Sequence, residues 1–178
     1  MDWLVTHKTR NNIIKNLATT QKGNTLVLFQ FVEKHGAVLY DLINEKIGKS
    51  RQVFFVHGGT DTQQREKVRE ITEKEKDAVI IASYGTFSTG INIRNLHNVI
   101  FASPSKSRVR NLQSIGRGLR KGDDKTSCRL FDIGDDLSWK SRKNYTLLHM
   151  IERIKLYNEE GFKYKLVRIS TDGNSKGT

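Results

Sequence analysis

The sequence predicts an α/β fold in which a mostly parallel sheet carries helices on both faces, with further helices flanking it at the N- and C-terminal sides. Three observations carry that prediction. Short apolar runs rich in β-branched residues alternate with segments of helical period along most of the chain. The run at 77–83 (DAVIIAS) is almost continuously apolar, as strands covered on both faces are. The length of 178 residues suits one well-buried core with a terminal extension and is too short for two full α/β domains.

Each element follows from its local pattern. Residues 3–20 predict a leading helix. Residues 25–31 (TLVLFQF) form an apolar run too short to stand as a helix, and so predict the first strand. Across 32–47, Val38, Leu39, Leu42, Ile43 and Ile47 recur at the helical period. A second strand at 53–56 closes on His57-Gly58-Gly59, and a polar helix over 62–74 has Val68 and Ile71 as its buried edge. Strands three, four and five are predicted at 77–83, 98–102 and 127–133, with a helix over 113–120 between the last two. A trailing helix at 137–160 carries Leu147, Leu148, Ile151, Ile154 and Leu156, and a strand-like segment follows at 164–169. The β-α-β order implies right-handed crossovers, and in such sheets ligands collect beyond the carboxyl ends of the strands. No internal repeat is present.

Composition narrows the class of partner. Lys and Arg number 31 against 19 Asp and Glu, a formal net charge of +12 that favours a polyanion. Lys106, Arg108, Arg110, Arg117, Arg120 and Lys121 concentrate it locally. No apolar run approaches the roughly 20 residues of a membrane span, and no signal peptide is evident at the N-terminus, so a cytoplasmic location is expected. The single Cys128 has no partner for a disulfide or a zinc site and reads as a buried filler. The five histidines are scattered, and no protein metal site is expected.

Three segments carry candidate chemistry. In 113–120 (QSIGRGLR), Gln113, Arg117 and Arg120 stand at i, i+4 and i+7, so one helical face would present a polar hook and two guanidinium groups. Arg is planar, permanently charged and forked to bind phosphate oxygens in pairs. At 82–92 (ASYGTFSTGIN), glycines and small hydroxyl residues at a strand end let backbone amides approach phosphate. At 57–65 (HGGTDTQQR), a glycine turn enters a helix with Arg65 early in it. A fourth segment is a decoy: 47–50 (IGKS) has the ending of a P-loop, but Ile43 stands where the opening glycine should be and no strand leads into it. Without a P-loop, the chain is not expected to hydrolyse a nucleotide by itself. His57, Tyr84 and Phe87 read as packing or turn-lining residues before they read as base contacts.

In order and spacing these segments resemble the second RecA-like domain of superfamily 2 helicases and translocases, from about residue 25 to 133. TLVLFQF resembles motif IV, ASYGTFSTGIN motif V, and QSIGRGLR the QxxGRxxR pattern of motif VI. Residues 86–107 (TFSTGINIRNLHNVIFASPSKS) are most similar to the bacteriophage branch-migration helicases of recombination and fork rescue. The resemblance implies a RecA-like domain over 23–136, and the residue pattern around it predicts a leading helical segment over 1–22, a helical extension over 137–170 and, from its Gly/Ser-rich composition, a disordered tail over 171–178. It makes Arg120 the arginine finger for the γ-phosphate of ATP, with Arg117 beside it. Gln113, Gly90 and Asn92 fall at the nucleotide, although many members of the family carry Asp where Asn92 stands. Ser83, Thr86 and Arg65 fall on the nucleic-acid backbone.

The implied cofactors are ATP and Mg²⁺, held mainly by an N-terminal P-loop motor domain in the same or another chain. The implied partner is DNA, with RNA or an RNA–DNA hybrid as the other candidate strands, gripped through phosphates and hence with little sequence preference. The host cytoplasm is the expected location for a phage protein, with no membrane contact. The competing reading is a free-standing nucleic-acid-binding or regulatory module with no ATPase role.

Overall fold

The computed structural model describes residues 2–90, 93, 95–103, 128–138 and 144–170, with the side chains of 88–90 outside that description. Five parallel strands stand in the order β2-β3-β1-β4-β5: β1 Thr25–Phe29, β2 Val53–Val56, β3 Val79–Ser83, β4 Asn98–Phe101 and β5 Arg129–Asp132. The helices are α1 Asp2–Thr6, α2 Lys8–Thr20, a π-helical turn Val32–Ala37 running into α3 Val38–Ile47, α4 Thr62–Lys74, α5 Tyr84–Gly90 and α6 Tyr145–Glu159. The predicted α/β class is thus the observed one. No helix among the described residues is long and apolar enough to cross a membrane.

Because side chains alternate along a strand, each central strand feeds two cores. Leu26, Leu28, Ile80 and Val99 point into a layer shared with α4 and α6, through Val68, Ile154 and Tyr157. Val27, Phe29, Ile81 and Ile100 point into the opposite layer, filled by Ile14 and Ala18 of α2 and by Leu39, Ile43 and Ile47 of α3. The central strands β1, β3 and β4 are buried at every position, which is why their sequences read as unbroken apolar runs.

Several predicted elements have different ends, each for a local reason. The leading helix breaks at His7, whose ring Nδ1 accepts the Arg10 amide proton at 3.3 Å and caps α2. The helix expected over 32–47 opens as a π turn, because the Phe31 carbonyl accepts from both His35 N (3.2 Å) and Gly36 N (2.9 Å). Phe29 lies against this turn: a Cβ on Gly36 would stand 2.5 Å from its ring. The trailing helix begins at Tyr145, not 137, since Asn144 takes the cap position and binds the Leu137 amide (3.2 Å) through its Oδ1. Its buried residues are Thr146, Arg153 and Tyr157, whereas Leu148 of the expected apolar set is exposed. The segment at 164–169 joins no sheet. Cys128 is only partly buried, at the margin of the α4/α6 core.

A fully buried Asn24 joins the amino ends of β1 and β3 to the C-terminal end of α4. Its Nδ2 donates to the carbonyls of Thr72 (2.9 Å), Glu75 (2.8 Å) and Asn95 (2.8 Å), while its Oδ1 accepts from Ala78 N (2.8 Å). Gly23 precedes it with φ +85°, where a Cβ would meet the His97 ring at 2.5 Å, so conformation and space both require glycine.

Candidate functional site

The carboxyl rim of the sheet gathers the described part of the candidate site. β3 ends at Ser83, and α5 starts on the next residue. The Ser83 hydroxyl makes that sharp entry possible by accepting the Thr86 amide proton (3.3 Å), and its Oγ lies 2.8 Å from Thr86 Oγ1. Both residues are buried, so the hydroxyls predicted to meet a phosphodiester are paired with each other and fix how α5 leaves the strand. Gly85 between them is exposed, with no atom within 4 Å of where a Cβ would stand. Gly90 is the last residue of α5.

At β2 the chain leaves the sheet through His57-Gly58-Gly59. Thr60 closes the turn, its Oγ1 accepting from His57 N and its amide donating to His57 O, both at 3.0 Å. Asp61 caps α4 by accepting the Gln64 amide proton at 2.8 Å. Arg65 reaches back from the first turn of α4 and donates through Nη2 to the carbonyls of Gly58 (3.0 Å) and His57 (3.5 Å), while its buried Nε has no hydrogen-bond partner among the described residues. It therefore holds the glycine turn in place. His57 packs on Phe55 with ring centroids 5.1 Å apart, Tyr84 on Phe101 at 5.9 Å, and Phe87 against the α4/α6 core, which accords with a packing role for all three.

The end of β4 is held from three sides. Ser103 Oγ accepts from Gln30 N (3.1 Å) and lies 3.1 Å from His35 Nδ1, and the Ser103 carbonyl accepts from the Tyr84 hydroxyl (3.2 Å). Arg10 donates to the Ala102 carbonyl (2.7 Å) and grips Asp135 through Nε (2.7 Å) and Nη2 (2.9 Å). His35 is fully enclosed; burial first, and the Arg10 charge second, push its pKa down to about 3, so the ring is neutral. Beside β5, Arg153 grips Asp132 at 2.6 and 2.8 Å, and the Tyr157 hydroxyl donates to the same carboxylate at 2.7 Å. Burial, then the Asp132 charge and hydrogen bond, push that phenol well above its ordinary range.

Sequence reading passed over these residues. A signal was present for two of them: Arg10 falls about one and two turns before Ile14 and Ala18 on a core-facing stripe, and Arg153 lies four residues before Tyr157. The predicted Asn92, Gln113, Arg117 and Arg120 lie outside the described residues, as does the tail at 171–178. What the described rim brings together is Ser83 with Thr86, and Arg65 with the glycine turn.

At the described rim the Ser83 and Thr86 hydroxyls are paired with each other, and Arg10, Arg65 and Arg153 are bonded to protein acceptors. Among the described residues no group of three or more His, Cys, Asp or Glu could hold a metal ion. A recess of about 390 Å³ lies away from this rim, at the amino end of β2, and is lined by the P-loop look-alike Gly48, Lys49 and Ser50 together with Arg51. There Gly48 ends α3, its amide donating to Asn44 O at 2.7 Å, whereas a phosphate loop must open onto a helix N-terminus. Arg51 is occupied by Asp77 (2.9 Å) and by the Gln21 carbonyl (3.1 Å).

An all-parallel five-stranded sheet of this order with flanking helices defines a RecA-like α/β domain, with Ser83 and the glycine turn after β2 at the carboxyl ends of their strands. The chain belongs to the family described as helicase conserved C-terminal domain, which matches residues 8–122. Among individual proteins it is similar to the ATP-dependent DNA helicase UvsW of Enterobacteria phage T4, with 38% identity over 174 residues, covering 90% of this chain and 34% of the relative. The crystal structure of T4 UvsW superimposes with a TM-score of 0.71 at 37% identity, covering 86% of this chain and 33% of that one. The C-terminal part of the Fun30 ATPase domain shares the fold alone, with a TM-score of 0.57 at 16% identity, covering 90% of this chain and 57% of that one. The chain thus spans about a third of the length of the phage relative.

Proposed function

We propose that this chain is the C-terminal motor half of an ATP-dependent superfamily 2 DNA helicase or translocase acting in branch migration and in fork or R-loop remodelling during recombination and repair. The observation that carries this reading is the 38% identity to a phage ATP-dependent DNA helicase across 90% of the chain. The parallel sheet supports it by setting Ser83, Arg65 and the root of the arginine-bearing segment at one end of the strands.

In this reading Arg120 is the arginine finger, and Arg117 binds the same phosphates. Gln113, Gly90 and Asn92 adjoin the nucleotide. Bound between this domain and a P-loop domain, ATP with Mg²⁺ supplies the phosphoryl group whose hydrolysis drives the cycle. Ser83 and Thr86 set the direction of α5, so that Gly85, exposed in its first turn, meets the phosphodiester backbone of DNA. Arg65 keeps the glycine turn beside it rigid. Neutral backbone contacts of this kind read phosphates and not bases, which favours translocation over sequence recognition.

The test joins this chain to a P-loop motor domain and measures ATPase with and without DNA. Arg120→Ala is expected to lower the DNA-stimulated rate by about 10³-fold or more, the worth of such a finger in other phosphoryl-transfer systems. An unchanged rate removes the finger assignment and leaves the binding-module reading.

A further inference from the structure

The C-terminal segment after α6 is an extended chain without a sheet. Gly161, at φ +69°, turns the chain out of the helix, and the Phe162 amide closes the turn on Tyr157 O at 2.8 Å. Phe162 and Tyr164 then fold back on Tyr157, with centroid distances of 6.3 and 6.2 Å, and the Tyr164 hydroxyl donates to Asn158 Oδ1 at 3.0 Å. Beyond that anchor, residues 163–169 join no ladder, and none makes a backbone hydrogen bond to the described residues. The Asp136 carboxyl is held below its usual range chiefly by hydrogen bonds from Ser138 and in smaller part by the positive charge of Arg168.

Its side chains have the composition of a strand that is meant to be covered. Leu166, Val167 and Ile169 are 60%, 68% and 57% exposed, whereas the aliphatic residues of the five strands are buried or partly buried. β-Branched and aliphatic residues in an extended conformation with free amides and carbonyls are a template for strand addition. Lys163, Lys165 and Arg168 lie within the same stretch, and no acidic residue occurs from 161 to 170.

We propose that residues 163–169 form a docking strand for an extended acidic peptide segment of a partner protein, bound by β-strand addition. Charge selects this occupant over a second copy of the chain, because two copies bring together six cations, three from each, with no acidic residue between 161 and 170 to offset them, and like charges on paired strands are destabilising. Three exposed aliphatic side chains and a row of unpaired amides select a peptide over a nucleic-acid strand, which would use the cations and leave the aliphatics in water. Main-chain bonds would supply affinity, and the three cations would select an acidic sequence.

The probe is a fluorescein-labelled ten-residue peptide alternating Glu with Val or Ile, titrated with the full chain and followed by anisotropy. Its controls are the same peptide with Lys for Glu, an N-methylated version, and a single-stranded oligonucleotide of equal charge. The Glu peptide is expected to bind about tenfold or more tighter than either peptide control, and Val167→Pro, at an exposed position, is expected to weaken it to a similar degree. Reversing the charges with Lys163→Glu, Lys165→Glu and Arg168→Glu should transfer the preference to the Lys peptide. Equal binding of the Glu and Lys peptides, or of the N-methylated peptide, overturns the proposal. So does an oligonucleotide that is bound through the three cations but is indifferent to Val167→Pro, which would assign the segment to nucleic acid. Self-association of the chain that Val167→Pro abolishes would assign it to a second copy.

Discussion

Asn24 Oδ1 accepts the amide proton of Ala78 at 2.8 Å while the other side of the same amide group faces three carbonyls, so one side chain fixes where β3 begins relative to β1. Asn24→Asp keeps the size and removes both donors. It would also place a carboxylate oxygen against the carbonyls of Thr72, Glu75 and Asn95 in a fully enclosed site. The expected loss is roughly 3–5 kcal/mol, typical of an uncompensated buried charge, read as a lower urea midpoint for the purified chain.

Arg153 and Asp132 form the second buried joint, between α6 and the edge strand β5. Asp132→Ala removes the carboxylate bound both by Arg153 and by the Tyr157 hydroxyl, and should cost about 3–5 kcal/mol. Replacing both, with Arg153→Met and Asp132→Leu, should recover part of that loss, because well-packed apolar pairs often equal a buried ion pair, while the Tyr157 hydroxyl still lacks its acceptor. A double-mutant cycle by urea denaturation measures the coupling, and a double variant no more stable than Asp132→Ala would show that the pair has a role beyond mutual neutralisation.

His35 gives the domain an acid sensitivity of predictable sign. Its pKa is about 3 in the folded chain, against an ordinary value near 6.5, so in that interval the unfolded chain binds the extra proton. Stability from this group is complete above about pH 6.5 and is lost as pH falls toward 3, with a slope of up to about 1.4 kcal/mol per pH unit. Unfolding free energies measured from pH 7 to pH 4 should therefore fall less steeply for His35→Gln than for the parent chain.

The fold was legible wherever burial is two-sided. The centres of β1, β3 and β4 follow directly from apolar runs, because nothing polar can be tolerated on either face. The helix α4 spans 62–74 as its pattern implied, and Asp61 caps its start. Periodicity failed where a polar group does the packing. Arg10, Arg153 and Thr146 occupy core-facing helix positions that a hydrophobic count assigns to solvent, and α6 was consequently given the wrong buried face. Main-chain details such as the π turn at Phe31 depend on a tertiary contact, Gly36 against Phe29, that no local pattern encodes. For the site, residue types and strand ends were readable, but the pairing of Ser83 with Thr86 was not, since either hydroxyl alone could equally have faced a ligand.

That pairing gives the strand-contact proposal a sharp test. Thr86→Val keeps the shape of a buried residue and leaves Ser83 Oγ without its hydroxyl partner 2.8 Å away, at an expected cost of about 1–2 kcal/mol in stability. If the pair orients α5 toward a phosphodiester backbone, affinity for single-stranded DNA should fall as well, and by a similar factor at every salt concentration. A hydroxyl releases no counterions, so the slope of log affinity against log salt should stay that of the parent, whereas loss of one Lys or Arg contact would flatten it by about 0.7 for a single strand. Measuring binding of the chain at several salt concentrations separates the two. A destabilised Thr86→Val with undiminished DNA affinity would confine the pair to a packing role.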